Sequence, residues 1–278
     1  MRLDPTLKAL IAACALSALV AACDRNGDKA VDAQPAPGDP AAVTPADSPA
    51  PLAYESKTAH AEVKLTLPEA VKAHPDMHAR LYADGVKTLR AFAEGAQADR
   101  TEFGGADEMP PYAKSIEWTL GGETGKLFSL KGQIYDYSGG AHPNGQYTSA
   151  LWDKALKRPV TAQTLFSKGA NLTPLDQALC AATNTAKKER NPDARPVSLG
   201  DTTGEACPRA ADTPFVLAAG TTAGKAGGLV FLIAPYLVGP YAEGSYEVTV
   251  PQSAFRSLLA PAYADEFAGQ PVEAQPAT

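Results

Sequence analysis

Between Ala59 and Leu67 apolar and polar residues alternate. Ala59, Ala61, Val63, Leu65 and Leu67 share one face, with His60, Glu62 and Lys64 on the other, which predicts a half-buried strand with His60 toward solvent. The period then changes. From Pro75 onward Tyr82, Val86, Leu89, Ala93 and Ala96 recur at spacings of four and three, predicting an amphipathic helix that ends between Gly95 and Phe103. His74 and His78 stand four apart, but Pro75 lies between them and no further ligand completes a metal set. They read as solvated residues at the helix start.

Strand patterns dominate the middle of the chain. "YAKSIEWTL" (112–120), a turn at Gly121–Gly125, "KLFSLKGQIYDYS" (126–138), a glycine-rich loop, "QYTSALWD" (146–153), a Lys154–Lys157 turn and "RPVTAQTLF" (158–166) predict an antiparallel meander. A second helix is expected from Thr173 to Arg190, with Leu175, Leu179 and Ala182 or Ala186 facing inward. Strands are expected at "FVLAA", "GLVFLIAPY" and "SYEVTV". A short helix opens at Pro251 and buries Phe255, Leu258 and Leu259. Strands broken by a few helices, without regular βαβ alternation, predict an α+β fold: a mostly antiparallel sheet with flanking helices.

Composition changes the picture at the two ends. Arg2 and Lys8 precede an apolar run, Ala9–Ala22, that is short for a membrane span and stops at Val20-Ala21-Ala22-Cys23. Small residues before a cysteine resemble a bacterial lipobox, so residues 1–22 read as a lipoprotein signal peptide with Cys23 as the lipidated residue. A cut at Cys14 would leave too short an apolar run. Residues 23–53 are rich in Pro, Ala, Asp and Gly and read as a disordered tether, and residues 265–278 as a disordered tail. A folded domain is expected over 54–264. The expected location is the bacterial cell envelope, facing the periplasm, with inner and outer membranes both open.

The 278-residue chain has a formal net charge of -6 and no basic stripe, so no nucleic-acid partner is expected. Of four cysteines, Cys180 and Cys207 are the only pair in the domain, and an oxidising compartment predicts a disulfide between them.

The candidate chemistry centres on "YDYSGGAHPNGQY", residues 135–147. Gly139 and Gly140 permit positive φ, and Asn144-Gly145 suits a tight reversing turn. His142 lacks an orienting carboxylate or a nucleophile at a contact-implying spacing, and no G-x-S-x-G elbow or H-E-x-x-H pattern exists in the chain. No catalytic residue, metal site or cofactor is expected. Three readings of His142 stay open: a hairpin corner, a recognition group, or an acid/base. A second stretch, Pro235-Tyr236 and Pro240-Tyr241, joins prolines that interrupt ladder pairing to tyrosines that offer rigid contact area.

These stretches together resemble the extracytoplasmic domain shared by the lysozyme-sensing anti-sigma factor RsiV and the peptidoglycan deacetylase PdaC. The resemblance rests on "YSGGAHPN", on "WDKALKRPVTAQTLF" and on "YLVGPYAEGSYEVTVPQSAFRSLL", in that order across the domain. It implies an α+β domain that binds and does not catalyse, with Tyr137, His142, Asn144, Tyr236, Pro240 and Tyr241 as ligand-binding residues. Eight residues precede Ala9 and no deacetylase domain is expected downstream, so only the binding role carries over. The implied partner is a lysozyme-type protein or a peptidoglycan component, with the membrane reached through Cys23. A glycan-binding accessory, or an enzyme acting on envelope polysaccharide through His142, are the alternatives.

Overall fold

The computed structural model describes residues 49–103, 110–201 and 206–272, so the signal, Cys23 and most of the tether lie outside the described residues. Six strands form one sheet in chain order: β1 (Ala53–Lys57), β2 (Ala61–Thr66), β3 (Tyr112–Glu123), β4 (Leu127–Tyr137), β5 (Asn144–Asp153) and the two-residue β6 (Arg158–Pro159). All neighbours pair antiparallel except β2 and β3, which run parallel across the helix α1 (Pro75–Phe103). A second, three-stranded antiparallel sheet comes next: β7 (Phe215–Ala219), β8 (Ala226–Ile233) and β9 (Tyr246–Pro251). Two one-turn helices, α2 (Ala162–Leu165) and α4 (Pro261–Ala264), and the long α3 (Thr173–Arg190) complete an α+β domain.

The alternation read from sequence sorts the side chains of the large sheet onto two cores. Val63, Leu65, Trp118, Phe128, Leu130 and Trp152 pack with Met77, Val86 and Leu89 of α1. Leu127 and Leu151 point to the other face, where Leu175 and Leu179 of α3 meet Phe215, Leu217, Phe231 and Val250 of the small sheet. β4 and β5 thus separate an α1 core from an α3 core, as period-two side-chain geometry requires.

Four expectations need correction. Gly121 and Gly122 are not a turn: β3 runs through them with a register shift between Leu120 and Gly122. A Cβ on Gly121 would lie 2.6 Å from the Val216 side chain, and one on Gly122 2.5 Å from the Leu217 carbonyl oxygen, so these glycines let β7 cross against β3. Asn144-Gly145 likewise sits inside β5, Asn144 opposite Asp136, and the chain reverses at Ser138–Pro143. His78 is buried, with its Nε2 3.1 Å from the Pro51 carbonyl oxygen, and His74 packs 4.4 Å from the Phe128 ring. Burial, partly offset by Glu123, holds the His74 pKa below the usual histidine value.

The fourth correction concerns the C-terminal segment. Residues 265–272, read as tail, close the small sheet: Phe267 is fully buried and Pro271 bridges to Gly220. Glu266, 5% exposed, accepts from Thr124 Oγ1 at 2.6 Å and Lys126 N at 2.7 Å, clamping the β3–β4 turn. Burial would raise its pKa, but these bonds and the charges of Lys225 and Lys126 hold it low.

Candidate functional site

The β4–β5 connection delivers His142 to one end of the large sheet. Gly139 and Gly140 take φ +88° and +97°, conformations that glycine adopts at little cost. Tyr137 donates from its hydroxyl to the Gly140 carbonyl at 3.4 Å, and Ser138 Oγ donates to Asp136 Oδ1 at 2.9 Å. Asp136 is also paired with Lys114 at 2.5 Å, so it is committed to the loop's base and does not orient His142.

The segment between β8 and β9 delivers the tyrosines. It belongs to the small sheet, whereas the His142 loop belongs to the large one. The contact between them is nonetheless made. Tyr241 stacks on His142, with centroids 4.0 Å apart and planes 17° apart. The Tyr236 hydroxyl lies 3.1 Å from His142 Nε2, and the Tyr236 and Tyr241 rings are 5.4 Å apart. The other ring nitrogen, Nδ1, lies 3.0 Å from the Pro143 carbonyl oxygen. A carbonyl can only accept, so Nδ1 carries the proton and Nε2 of the neutral ring accepts from Tyr236. Both nitrogens are therefore spent on neighbours, and the cluster is a surface of stacked rings, with Tyr236 53% exposed.

Tyr236 adopts φ +71°, the left-handed region that a bulky residue rarely occupies. Such a residue persists only where the surroundings over-determine it, and it costs about 1–3 kcal/mol. The anchor lies one turn away. Lys187 of α3, almost wholly buried, donates to the Val238 carbonyl and sits 3.1 Å from Glu243 Oε2. Tyr246 donates to the same carboxylate at 2.8 Å, and Arg190 bonds the Glu243 carbonyl while lying 3.8 Å above the Tyr246 ring. Pro240 is exposed and opens the single 3-10 turn Tyr241–Glu243, which Gly244 ends at φ +72°.

Of the six expected ligand-binding residues, His142, Tyr236 and Tyr241 form one cluster. Tyr137 supports the loop from below, Asn144 leads away along β5, and Pro240 borders the turn. Cys180 and Cys207 are joined, with Cα atoms 5.2 Å apart. The spacing missed Lys187, Arg190 and Glu243, although Lys187 continues the inward stripe Leu175, Leu179, Thr183 at steps of four.

A hollow of about 390 Å³ borders the cluster between the start of β5 and Pro235, Tyr236 and Leu237. A separate cleft of about 380 Å³ lies between α1 and the large sheet over Trp118 and Trp152. Its only charged residues among those described, Arg80 and Asp84, face each other at 3.6 Å. Among the described residues no group of three potential metal ligands is gathered, and no helix is long and apolar enough to cross a membrane.

Residues 163–253 match the family described as "Protein of unknown function (DUF3298)". That span contains α3, the small sheet, Tyr236 and Tyr241, while His142 lies before it. Similar solved structures include a DUF3298-family member from Bacteroides fragilis NCTC 9343, at 18% identity and TM-score 0.48, covering 77% of this chain and 95% of the other. Another is a DUF3298-family protein from Pseudomonas aeruginosa PAO1, at 12% identity and TM-score 0.47, covering 80% and 99%. No curated protein matches significantly.

Proposed function

We propose that this is a lipid-anchored envelope protein whose domain binds, through the His142–Tyr236–Tyr241 surface, a cationic wall-associated protein of the lysozyme-type muramidase class. The observation that carries the reading is the stacked cluster itself. Two loops distant in sequence spend a left-handed tyrosine and a buried ion pair on holding three rings at the surface. Aromatic groups on a rigid frame give contact area at small entropic cost. The net charge of -6 favours a cationic partner. The motif resemblance to RsiV/PdaC-type domains supports the partner class, and it supports binding in preference to catalysis.

The test is binding of a purified lysozyme-type muramidase measured by interferometry. His142→Ala and Tyr241→Ala are each expected to cost about 1–2 kcal/mol, roughly a five- to thirtyfold loss of affinity, with unchanged circular dichroism. Unaltered affinity in both folded variants overturns the reading. Turnover of wall glycans that disappears in His142→Ala puts the enzyme alternative in its place. For the anchor, Cys23→Ser is expected to abolish metabolic labelling with palmitate and to release the protein from membranes. An unmodified mature N-terminus by mass spectrometry contradicts it.

A further inference from the structure

The two edges of the large sheet are treated differently. β1, at one edge, carries Glu55 and Lys57, ion-paired to Lys64 and Glu62 of β2. Charged side chains of this kind discourage a foreign strand. At the other edge β6 pairs only with Trp152 and Asp153 of β5, and Val160 N donates to the Leu151 carbonyl. Upstream of Leu151, β5 has β4 on one side and, among the described residues, no strand on the other. Backbone groups alternate along an antiparallel strand, so Gly145, Tyr147 and Ser149 turn their N–H and C=O the same way as Leu151, outward. The sequence Asn144–Leu151 contains no charged residue and no proline, so two of the usual protections of an edge are missing.

This edge is also one wall of a groove. The 390 Å³ hollow beside Tyr236 and another of about 280 Å³ adjoin along β5 and share Pro214. Leu232, Pro235 and Leu237 make the first end apolar. Among the described residues Asp212 is the only charged one lining either hollow, and it stands exposed in the second.

We infer that β5 accepts an extended segment of a partner protein as an added antiparallel or parallel strand, with an apolar or aromatic side chain in the Leu232–Pro235–Leu237 hollow and a lysine or arginine toward Asp212. Outward N–H and C=O groups at every second residue are complementary to another polypeptide backbone, which supplies the same groups at the same period. The lone carboxylate decides the charge of the incoming segment. The inference goes beyond the muramidase reading and does not need it, since the groove can take a strand from any protein of this chemistry.

The probe is a library of random 12-residue peptides displayed on phage and panned against the purified protein. The tightest binder is then resynthesised. Three results are expected. Amide hydrogen exchange slows at Gly145, Tyr147 and Ser149 when the peptide binds. N-methylation of the peptide at alternate residues abolishes binding in one parity and changes it less than twofold in the other. Gly145→Pro weakens binding at least tenfold with an unchanged melting temperature, because this N–H does not serve β4 and a Cβ there meets nothing within 4 Å. Asp212→Asn weakens selected peptides that carry a lysine or arginine, and not their alanine-substituted forms. Failure to select any peptide, protection elsewhere on the domain, or indifference to N-methyl parity overturns the inference. So does a dimer in solution that Gly145→Pro splits, since a second copy then owns the edge. Should Gly145→Pro not fold, the parity series on the native protein still decides.

Discussion

Lys187→Met will lower the stability of the domain by about 3 kcal/mol, toward the lower end of what breaking a buried ion pair costs. The methionine fills most of the volume, so packing is not the cause. The cause is what stays behind: the Val238 carbonyl loses its donor, and Glu243, whose side chain is 16% exposed, loses its nearest cation. The carboxylate is held in place by packing, since a Cβ on Gly239 would lie 2.5 Å from its Oε2. Partial exposure keeps the figure at the low end.

The pH dependence has a definite sign. Burial alone would raise the Glu243 pKa, but hydrogen bonds from Tyr246 and Lys187 and the charges of Lys187 and Arg190 outweigh it and hold the pKa below the usual glutamate value. A depressed folded-state pKa contributes stability above the unfolded-state value, and that stability is lost as pH falls through the folded-state value. In Lys187→Met the Glu243 pKa rises toward the unfolded-state value, so the stability this carboxylate supplies is already missing at neutral pH, and the gap between variant and wild type narrows as pH falls. Lys187→Met/Glu243→Gln is expected to recover most of the loss, since replacing a buried pair by neutral groups is often close to neutral. Urea denaturation at neutral pH and along an acid series measures both. A single variant within 1 kcal/mol of wild type contradicts the anchor. Because the same pair holds the turn that presents Tyr241, Lys187→Met should also weaken partner binding.

That anchor shows where reading the sequence reaches its limit. β2, α1, α3 and β7 were legible because their signals are local: alternation over Ala61–Leu67, four-and-three spacing along α1, the Leu175–Leu179 stripe, and the apolar run "FVLAA". A lysine on the inward stripe of α3 is equally local, but its meaning depends on Glu243, 56 residues away. Gly121-Gly122 illustrates the same point for backbone. Turns and bulges draw on the same residue, and only the approach of Val216 and Leu217 distinguishes them. The candidate site was half legible for this reason. Loop chemistry marked His142 and the Pro-Tyr pairs as special, whereas the stacking of His142 on Tyr241 joins two sheets and leaves no trace in any local period.

Removing the Cys180–Cys207 bridge will cost about 3.5 kcal/mol by the chain-entropy estimate for a loop of its size, the cysteines being 27 residues apart. For a domain of this length that corresponds to a fall of roughly 10 °C in melting temperature. The folded structure should barely change, because α3 and the following segment are tied twice more. Asp176 accepts from Ala210 N at 2.8 Å and Arg209 at 3.0 Å, and Asn184 exchanges bonds of 2.9 and 2.8 Å with the Val197 backbone. Cys180→Ala/Cys207→Ala should therefore keep its far-UV dichroism at 25 °C and lose stability through the freer unfolded chain. Calorimetry measures the loss, and alkylation of both cysteines in the native wild type contradicts the bridge. Lys187 lies seven residues beyond Cys180, about 10 Å along the helix, far enough for the two effects to add within about 0.5 kcal/mol. Their sum of about 6.5 kcal/mol reaches into the whole stability of an ordinary domain. The variant lacking both the bridge and Lys187 is expected to be largely unfolded at 37 °C, while each parent stays folded.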